Sequence, residues 1–499
     1  MMIENDAPSP QQLARYQARR GFPARPTRDT EGLRADLSEF LGVFDRLDKI
    51  AEPMVELRYP ERDRGRPPTA AEDPYHAIIR WCEVPGAATG PLSGLRIGVK
   101  DNIAVAGVPM TEGVRRSPQR VPTEDAVVVE RLLDAGARIT AKTTMTTADP
   151  TFGVPRNPHD PRFTAGASSS GSAIAVATGL VDAAIGSDQG GSVRNPAAYC
   201  GIVGMKPTHG LVPSYGLAYW DHTLDHLGPM TGAVATNAAL LEVMAGDDWR
   251  DPHSGWPRPV SGDYAGAAAE GIAGLRIGVI EESLEPAGCT AGTLMAFERA
   301  CERLRDLGAT VEPVSIPLWT DGAVIWLAVL TFGLVAMADS NGQGYGHSGR
   351  IDVDRLSTVA AEYRLGQREL PWLASTLPLA YEYLQETQSG VPFGKAANLR
   401  LELRRQIDHC LDNVDLLITP TSTAGPERLD ELGSQEFSLS PLTKAMANTT
   451  PANLTGHPAL SVPSGPGDNG LPTGLQIMGR KFGEYGVYRA GFAFEGSGG

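Results

Sequence analysis

The sequence predicts an α/β fold in which a large mixed β-sheet is covered by α-helices on both faces and preceded by a helical N-terminal extension. From Leu95 onward, short apolar segments typical of buried strands alternate with segments of helical periodicity. Before that point the chain is charged and helical in pattern. With 499 residues, of which 41% are hydrophobic, the chain is long enough to bury a sizeable core.

The first 80 residues form the predicted extension and its linker. Apolar residues three or four positions apart predict a helix that ends near Asp48: Leu33, Leu37, Phe40, Leu41 and Phe44. Proline, glycine and charged residues then crowd the segment 61–74, which predicts a linker. We therefore divide the chain into residues 1–80 and a main domain of residues 81–495.

The main domain begins with a strand–helix–strand pattern. Leu95–Val99 predicts a short buried strand, Asp125–Ala137 predicts a helix, and Arg138–Lys142 predicts the next strand. Gly136 supplies the stop signal at the end of that helix. Such alternation is typical of a parallel or mixed sheet with helices on its faces.

The same pattern returns in the second half of the chain. Gly274–Glu282 predicts a strand, Leu294–Leu307 a helix and Thr310–Val314 a strand. The letters GLRIGV occur in both halves, but so short a repeat indicates two similar strands rather than an internal duplication. Near the C-terminus, a helix at Ala396–Leu411 leads into a strand at Val414–Thr421.

Composition limits the classes of partner and cofactor. The formal net charge of −15 argues against nucleic acid, which needs clustered lysine and arginine. The five cysteines are widely spaced without a CxxC pair, so we expect neither disulfides nor a zinc site, and a cytoplasmic location. We also expect no other metal and no cofactor. No signal peptide is evident at the N-terminus. The apolar segment Gly322–Ala338 is shorter than the ~20 residues of a membrane-spanning helix, so we interpret it as a buried helix without membrane contact.

Two serine- and glycine-rich clusters and one lysine carry the chemistry. The cluster 186–194 (GSDQGGSVR) follows a strand-like segment, and its glycines favour a nest of backbone N–H groups that binds an oxyanion, with Ser192 as a nucleophile. An ordinary glycine-rich turn is an alternative, whereas a phosphate loop would require a GxxxxGK[ST] pattern that this segment lacks. The cluster 166–172 (GASSSGS) precedes a helical segment, which its serines are also suited to cap.

Lys100 ends a strand-like segment and is the candidate base. A lysine in a desolvated pocket has a lowered pKa, and its neutral amine accepts a proton. Pairing with Asp101 is the alternative, since that ion pair would keep the lysine charged. His209, His226 and His457 lie in Gly/Pro-rich loops, and no GxSxG nucleophile elbow supports a Ser-His-Asp arrangement.

Four segments together resemble the amidase signature family, in the family's order and spacing from about residue 80 to residue 495. They are GVKDNIAVAGVPMTEG from Gly98, the serine- and glycine-rich stretch from Ala165 to Pro213, LDHLGPM from Leu224, and GHPALSVPSGPGDNGLPTGLQIMGR from Gly456. The resemblance implies the family fold and a Ser–cisSer–Lys triad. In this sequence the triad residues are Ser192 as nucleophile, Ser168 as the cis-serine and Lys100 as base.

The resemblance also implies supporting residues around this triad. Backbone amides of Gln189, Gly190, Gly191 and Ser192 would form the oxyanion hole, and Asp188 and Arg194 would brace the loop. The family's GGSSGGS is GASSSGS here, with Ala167 and Ser170 in place of glycines. The pattern is most similar to bacterial amidases of nitrile metabolism, which implies an acyl pocket near residues 326–346, with Trp326 and Tyr345 as lining residues.

The expected activity is hydrolysis of a small-molecule carboxylic amide with an aromatic or aliphatic acyl group by a homodimer. Hydrolysis of a carbamate, hydrazide or ester, or acyl transfer to an amine, uses the same triad and stays open. A glutaminase subunit of a tRNA-dependent amidotransferase is a further alternative, against which the N-terminal extension and Asn195, where that subunit typically has glutamine, both argue. A binding protein without catalysis is disfavoured because Lys100, Ser168 and Ser192 are all present.

Overall fold

The computed structural model of this chain describes residues 7–22, 27–47, 49–53, 55–113, 120–146, 152–251, 253, 262–342, 344, 348–365, 372–431 and 443–497. The chain divides into two compact units, Met1–Glu56 and Leu57–Gly499. The sequence placed a boundary near residue 80, whereas the first strand of the sheet already lies at Asp63–Arg66. This strand is only four residues long and three of them are charged, so it lacks the apolar pattern that predicts a strand.

In the part of the N-terminal unit that the structure describes there are two helices, α1 (Pro10–Arg19) and α2 (Thr27–Leu47). Ser9 begins α1 with a capping box, in which its hydroxyl accepts from the Gln12 backbone and the Gln12 side chain accepts from the Ser9 backbone. The predicted helical pattern of residues 33–44 is confirmed, because α2 covers it. Within α2, the rings of Phe40 and Phe44 stack edge to face with centroids 5.7 Å apart.

Among its described residues, the second unit contains one mixed sheet of twelve strands in the order β1-β2-β4-β3-β5-β7-β6-β11-β12-β10-β8-β9. The strands are β1 Asp63–Arg66, β2 Ile78–Pro85, β3 Arg96–Lys100, β4 Arg138–Thr143, β5 Ala183–Asp188, β6 Val203–Lys206, β7 His226–Thr231, β8 Arg276–Ile280, β9 Thr310–Val314, β10 Leu416–Pro420, β11 Ala459–Pro466 and β12 Pro472–Met478. Parallel pairs join β3 to β4 and β5, and β8 to β9 and β10. The predicted mixed sheet is therefore confirmed.

Helices pack against this sheet and against one another. They are α3 Val127–Asp134, α4 Ser170–Ala177, α5 Arg194–Cys200, α6 Val234–Met244, α7 Ala291–Asp306, α8 Gly322–Asp339, α9 Val353–Leu365, α10 Trp372–Gln388, α11 Val391–Leu411, α12 Thr450–Thr455 and α13 Glu484–Gly496. The helices predicted near residues 125–137, 294–307 and 396–411 are confirmed, although their ends differ by a few residues. End positions depend on capping contacts that periodicity does not report.

The apolar helix α8 is a core helix of this unit. Of the described residues, it alone is long and apolar enough to cross a membrane by length and composition, and 56% of it is buried. Its neighbours are α10, α11 and α12. Ile325, Val329 and Leu330 belong to the apolar cluster that these elements share, which agrees with the predicted buried helix.

The parallel pairing of β3 and β5 places the chemically important residues together. Val99 of β3 lies beside Ile185 of β5, so both strands end at the same edge of the sheet. Lys100 is the last residue of β3, and Asp188 is the last residue of β5. Ligand sites of such sheets lie at the carboxyl ends of the strands.

Candidate active site

Lys100 is buried completely and faces two serine hydroxyls. Its Nζ atom donates to Ser168 Oγ at 2.7 Å, to Ser187 Oγ at 2.9 Å and to the Ser187 carbonyl at 3.3 Å. Asp101 does not pair with it. That carboxylate instead lies 3.5 Å from Lys142 Nζ and accepts from the backbone and hydroxyl of Thr111. The structure thus leaves Lys100 among neutral partners.

The charge state of Lys100 follows from these surroundings. Burial lowers the pKa of its amine from 10.5 to about 7, because the cation loses its hydration. The negative charges of Asp188 and Asp225 oppose this shift. Around neutral pH, a large share of the amine is therefore uncharged and able to accept a proton.

Ser168 follows a cis peptide bond to Ala167. The segment is fixed on both sides of that bond, since the Ala167 N–H donates to Asn195 Oδ1 at 3.2 Å and the Ser168 carbonyl accepts from the Thr146 N–H at 3.0 Å. Gly166 has φ of +81°, a value that disfavours other residues. Alanine at 167 is thus accommodated where the resemblance led us to expect glycine.

The other serines of this cluster do not act as simple helix caps. Ser169 occupies the N-cap position of α4 but makes no side-chain capping bond, and its hydroxyl donates to the Ser187 carbonyl at 3.2 Å. Ser170 Oγ accepts from Thr146 Oγ1 at 2.8 Å, and Ser172 Oγ lies 2.7 Å from Thr143 Oγ1. The expected capping role is therefore replaced by cross-links to β4, to the residues after it, and to β5.

A buried ion pair braces the loop between β5 and α5. Asp188 Oδ1 and Oδ2 lie 3.0 Å from Arg194 Nη2 and Nε, and both side chains are completely buried. Burial alone would raise the pKa of Asp188, but the charge and hydrogen bonds of Arg194 together with the Asn453 amide hold it below its usual value. The carboxylate also accepts from the N–H groups of Gly191 and Val193. Asp188 and Arg194 therefore form a buried ion pair that joins the last residue of β5 to the first residue of α5.

In the backbone of this loop the carbonyl groups are hydrogen-bonded, whereas several of the N–H groups are not. The carbonyls of residues 188 to 192 all accept a bond, from Asn453 Nδ2, Trp326 Nε1, Thr449 Oγ1, the Asn195 N–H and the Ser169 N–H in that order. Among the described residues, the N–H groups of Gln189, Gly190 and Ser192 have no acceptor. Unoccupied amides beside a buried hydroxyl are the arrangement that binds a developing oxyanion.

One of the four expected oxyanion-hole amides is already in use. The Gly191 N–H donates to Asp188 Oδ1 at 2.7 Å, so it is not available to a substrate in this conformation. Sequence alone does not show this hydrogen bond, because the bond forms only when the Asp188 side chain turns toward the backbone of the residues that follow it. Gln189, Gly190 and Ser192 remain as candidate donors.

The two predicted pocket residues have different outcomes. Trp326 is buried, and its ring lies against Gly190, where an added Cβ atom would stand 2.9 Å from ring atoms. Its indole N–H donates to the Gln189 carbonyl at 2.8 Å. Tyr345 lies outside the described residues.

Several polar residues around the site were missed by sequence reasoning. They are Asn102, Ser187, Thr449, Asn453 and Gln476. Asn102 Nδ2 donates to Ser187 Oγ at 2.9 Å, and Gln476 Oε1 accepts from Arg194 Nη1 at 2.6 Å. The polar run 448–453 (NTTPAN) in an otherwise apolar, buried stretch was the available signal. Their partners, however, lie up to 282 residues away in sequence.

The histidines have structural partners instead. His457 contacts Thr455 Oγ1 at 2.8 Å and Asp408 Oδ1 at 2.9 Å, and His226 Nδ1 lies 2.7 Å from the Leu224 carbonyl. Burial lowers the pKa of both rings. Within the described part of the chain, no group of three or more histidine, cysteine, aspartate or glutamate residues is placed to hold a metal ion.

Comparison with known proteins gives consistent similarities. The family model described as Amidase matches residues 76–487. A glutamyl-tRNA(Gln) amidotransferase subunit of Haloarcula marismortui is 38% identical over 444 residues, which cover 84% of this chain and 99% of that protein. An enantioselective amidase of Rhodococcus rhodochrous is 36% identical over 465 residues, which cover 89% of this chain and 88% of that protein.

A solved structure agrees with these sequence matches. A bacterial aryl acylamidase of the amidase signature enzymes superposes with a TM-score of 0.68 at 27% identity, over 82% of this chain and 84% of its own.

Proposed function

This chain belongs to the amidase signature family, and we propose that it hydrolyses a carboxylic amide to an acid and ammonia or an amine through an acyl-enzyme on Ser192. Membership in the family supports hydrolysis of an amide C–N bond. The observation that carries the residue assignment is the contact of the buried Lys100 amine with Ser168 Oγ at 2.7 Å. An amine with a pKa near 7 is able to accept a proton around neutral pH.

The reaction follows from the roles of the three side chains. Ser192 Oγ gives its proton to Ser168 Oγ, and Ser168 gives its own proton to neutral Lys100. Ser192 then attacks the amide carbonyl, and the N–H groups of Gln189, Gly190 and Ser192 bind the negative oxygen. When the C–N bond breaks, the proton returns through Ser168 to the leaving nitrogen, and water cleaves the acyl ester by the same relay.

An amide with an aromatic or aliphatic acyl group is the substrate class that we propose. The similarity to an enantioselective amidase and to a bacterial aryl acylamidase supports an amide substrate of this kind. A carbamate, hydrazide or ester with the same acyl group stays possible because the same nucleophile attacks it.

A second candidate function is that of a glutaminase subunit in a tRNA-dependent amidotransferase. The 38% identity to the Haloarcula marismortui protein over 99% of its length favours it. Asn195 is the contrasting feature, and its side chain joins two segments, accepting from the Ala167 N–H and donating to Ser422 Oγ at 2.7 Å. We rank this candidate second and propose a cytoplasmic homodimer that acts alone.

An activity panel separates these candidates. The purified full-length chain is incubated with benzamide, propionamide, an anilide, an ester, a carbamate and L-glutamine, and ammonia or amine release is measured. We expect ammonia from the apolar amides, no turnover of glutamine, and a single homodimer peak in gel filtration. Ser192→Ala should abolish turnover while the circular dichroism spectrum is unchanged. Glutamine turnover without hydrolysis of apolar amides would favour the glutaminase function, and full amidase activity in Ser192→Ala would refute the assigned nucleophile.

A further inference from the structure

We propose that Trp326 and Thr449 are positioning residues that fix the peptide planes of the oxyanion loop by binding its carbonyls from behind. This inference rests on the proposed function and assigns Trp326 a role other than lining the acyl pocket. The two side chains come from α8 and from the residue before α12, respectively 137 and 259 positions from the carbonyls that they bind.

Trp326 sets the direction of the Gly190 amide. In a trans peptide the carbonyl of one residue and the N–H of the next point in opposite directions. Because the Trp326 indole N–H donates to the Gln189 carbonyl at 2.8 Å, the Gly190 N–H must point away from α8. That N–H has no acceptor among the described residues, which leaves it directed at the substrate side.

Thr449 and Asp188 hold the next peptide group, between Gly190 and Gly191, from its two ends. Its hydroxyl donates to the Gly190 carbonyl at 2.6 Å, and the N–H of the same peptide donates to Asp188 Oδ1 at 2.7 Å. Both ends of this plane are therefore held. A flip would break both bonds of this buried peptide and would set the Gly190 carbonyl against the Asp188 carboxylate, so the two contacts hold this plane and, with it, the flanking Gly190 and Ser192 amides.

The loop needs such external fixation because its own residues are permissive. Consecutive glycines rotate freely at φ and ψ, and Gly191 has φ of +129°, which other residues rarely adopt. Glycine is also required for the Trp326 and Thr449 side chains to pack against this backbone. A Cβ atom on Gly191 would stand 2.2 Å from Thr449 Oγ1, and one on Gly190 would stand 2.9 Å from Trp326 Cε2. The absence of Cβ atoms at Gly190 and Gly191 thus lets Trp326 and Thr449 approach the loop. The hydrogen bonds from these two side chains in turn restrict the backbone rotation that the glycines allow.

A positioning role predicts a change in kcat rather than in substrate binding. Thr449→Val keeps the shape of the side chain and removes the donor, Thr449→Ser keeps the donor, and Trp326→Phe removes the indole N–H but keeps an aromatic ring. We expect kcat to fall about tenfold to a hundredfold in Thr449→Val and Trp326→Phe, since loss of an oxyanion donor itself costs about a hundredfold to a thousandfold. KM should change less than about twofold, and Thr449→Ser should restore most of kcat.

Thr450→Val is the matched control. Thr450 is also buried, and within the described part of the chain its hydroxyl donates only to the Met446 carbonyl, at 3.1 Å, a carbonyl that Thr449 Oγ1 also contacts at 3.2 Å. The melting temperature of every variant is recorded, so that a general loss of stability is distinguished from a loss of kcat. The ratio of kcat/KM for benzamide over propionamide is recorded as well, because a pocket-lining role for Trp326 would change this ratio.

A fluorophosphonate probe supplies a readout that is independent of the amide substrate. Its phosphoryl oxygen occupies the oxyanion position while Ser192 is modified, so the labelling rate should fall in parallel with kcat. Wild-type kcat and labelling rate in Thr449→Val and Trp326→Phe would overturn the inference while the proposed function stands, as would an equal loss in Thr450→Val. A wild-type chain that neither hydrolyses any amide of the panel nor reacts with the probe would overturn the proposed function and the inference with it.

Discussion

Lowering the pH through 7 should switch off turnover by protonating Lys100. Burial lowers the pKa of this amine from 10.5 to about 7. At pH 8, about nine in ten molecules then carry a neutral amine, against about three in a thousand for a solvent-exposed lysine, a difference of about 300-fold. Between pH 8 and pH 6 the neutral fraction falls about tenfold, and kcat/KM should fall with it.

The assay is ammonia release at low substrate concentration from pH 5.5 to 9, at constant ionic strength, with the melting temperature recorded at each pH. Lys100→Arg is the control, because a guanidinium stays protonated over this whole range. We expect an acid limb with an apparent pKa near 7 in the wild type and no turnover in Lys100→Arg. A limb near 10, turnover independent of pH between 6 and 8, or an active Lys100→Arg would refute the role of Lys100 as base.

Three further substitutions test the loop and the relay. Arg194→Gln should lower the free energy of unfolding in urea by about 3–5 kcal/mol, because it leaves the buried Asp188 carboxylate without its charged partner. Gly190→Ala should reduce kcat far more than Gly394→Ala, since a Cβ atom at 190 meets Met446 and Trp326, whereas one at 394 meets nothing within 4 Å. Ser168→Ala should lower kcat about a hundredfold or more and leave the melting temperature nearly unchanged, because Lys100 keeps its bonds to Ser187.

A specific result would contradict each of these three predictions. Unchanged urea unfolding in Arg194→Gln would mean that Asp188 finds other compensation or is protonated. Equal activity in Gly190→Ala and Gly394→Ala would contradict the close packing behind the loop. Wild-type kcat in Ser168→Ala would show that the proton reaches Lys100 without the serine.

Local patterns predicted half of the twelve described strands, namely β3, β4, β5, β8, β9 and β10. The strand at Thr310–Val314 was predicted at its observed ends, and Lys100 was placed correctly at the end of a buried strand. These features depend on runs of apolar β-branched residues and on nearby glycines, which local sequence displays. The strands β1, β2, β6, β7, β11 and β12 were not predicted, and β1 is short and charged and lacks such a run.

Contacts between distant segments were beyond reach of the sequence. Nothing near Thr449 shows that its hydroxyl donates to the Gly190 carbonyl, and nothing near Asp188 shows that its carboxylate uses the Gly191 amide. The first bond joins residues 259 positions apart, and the second depends on the backbone conformation of the loop itself, whereas periodicity reports only the face that a residue occupies. Ser169, Ser170 and Ser172 illustrate the same limit, since they bond to β5, to the residues after β4 and to β4 rather than capping their own helix.

The central claim is that Ser192 carries the acyl group during turnover. Its most direct test is mass spectrometry of the enzyme quenched with acid during steady-state hydrolysis of an apolar amide or ester, followed by digestion and sequencing of the modified peptide. The account predicts an added acyl mass on the peptide that contains Ser192, at Ser192 itself, and its absence in Ser192→Ala. An acyl group on Ser168 or on another residue, or turnover by Ser192→Ala at the wild-type rate, would contradict it.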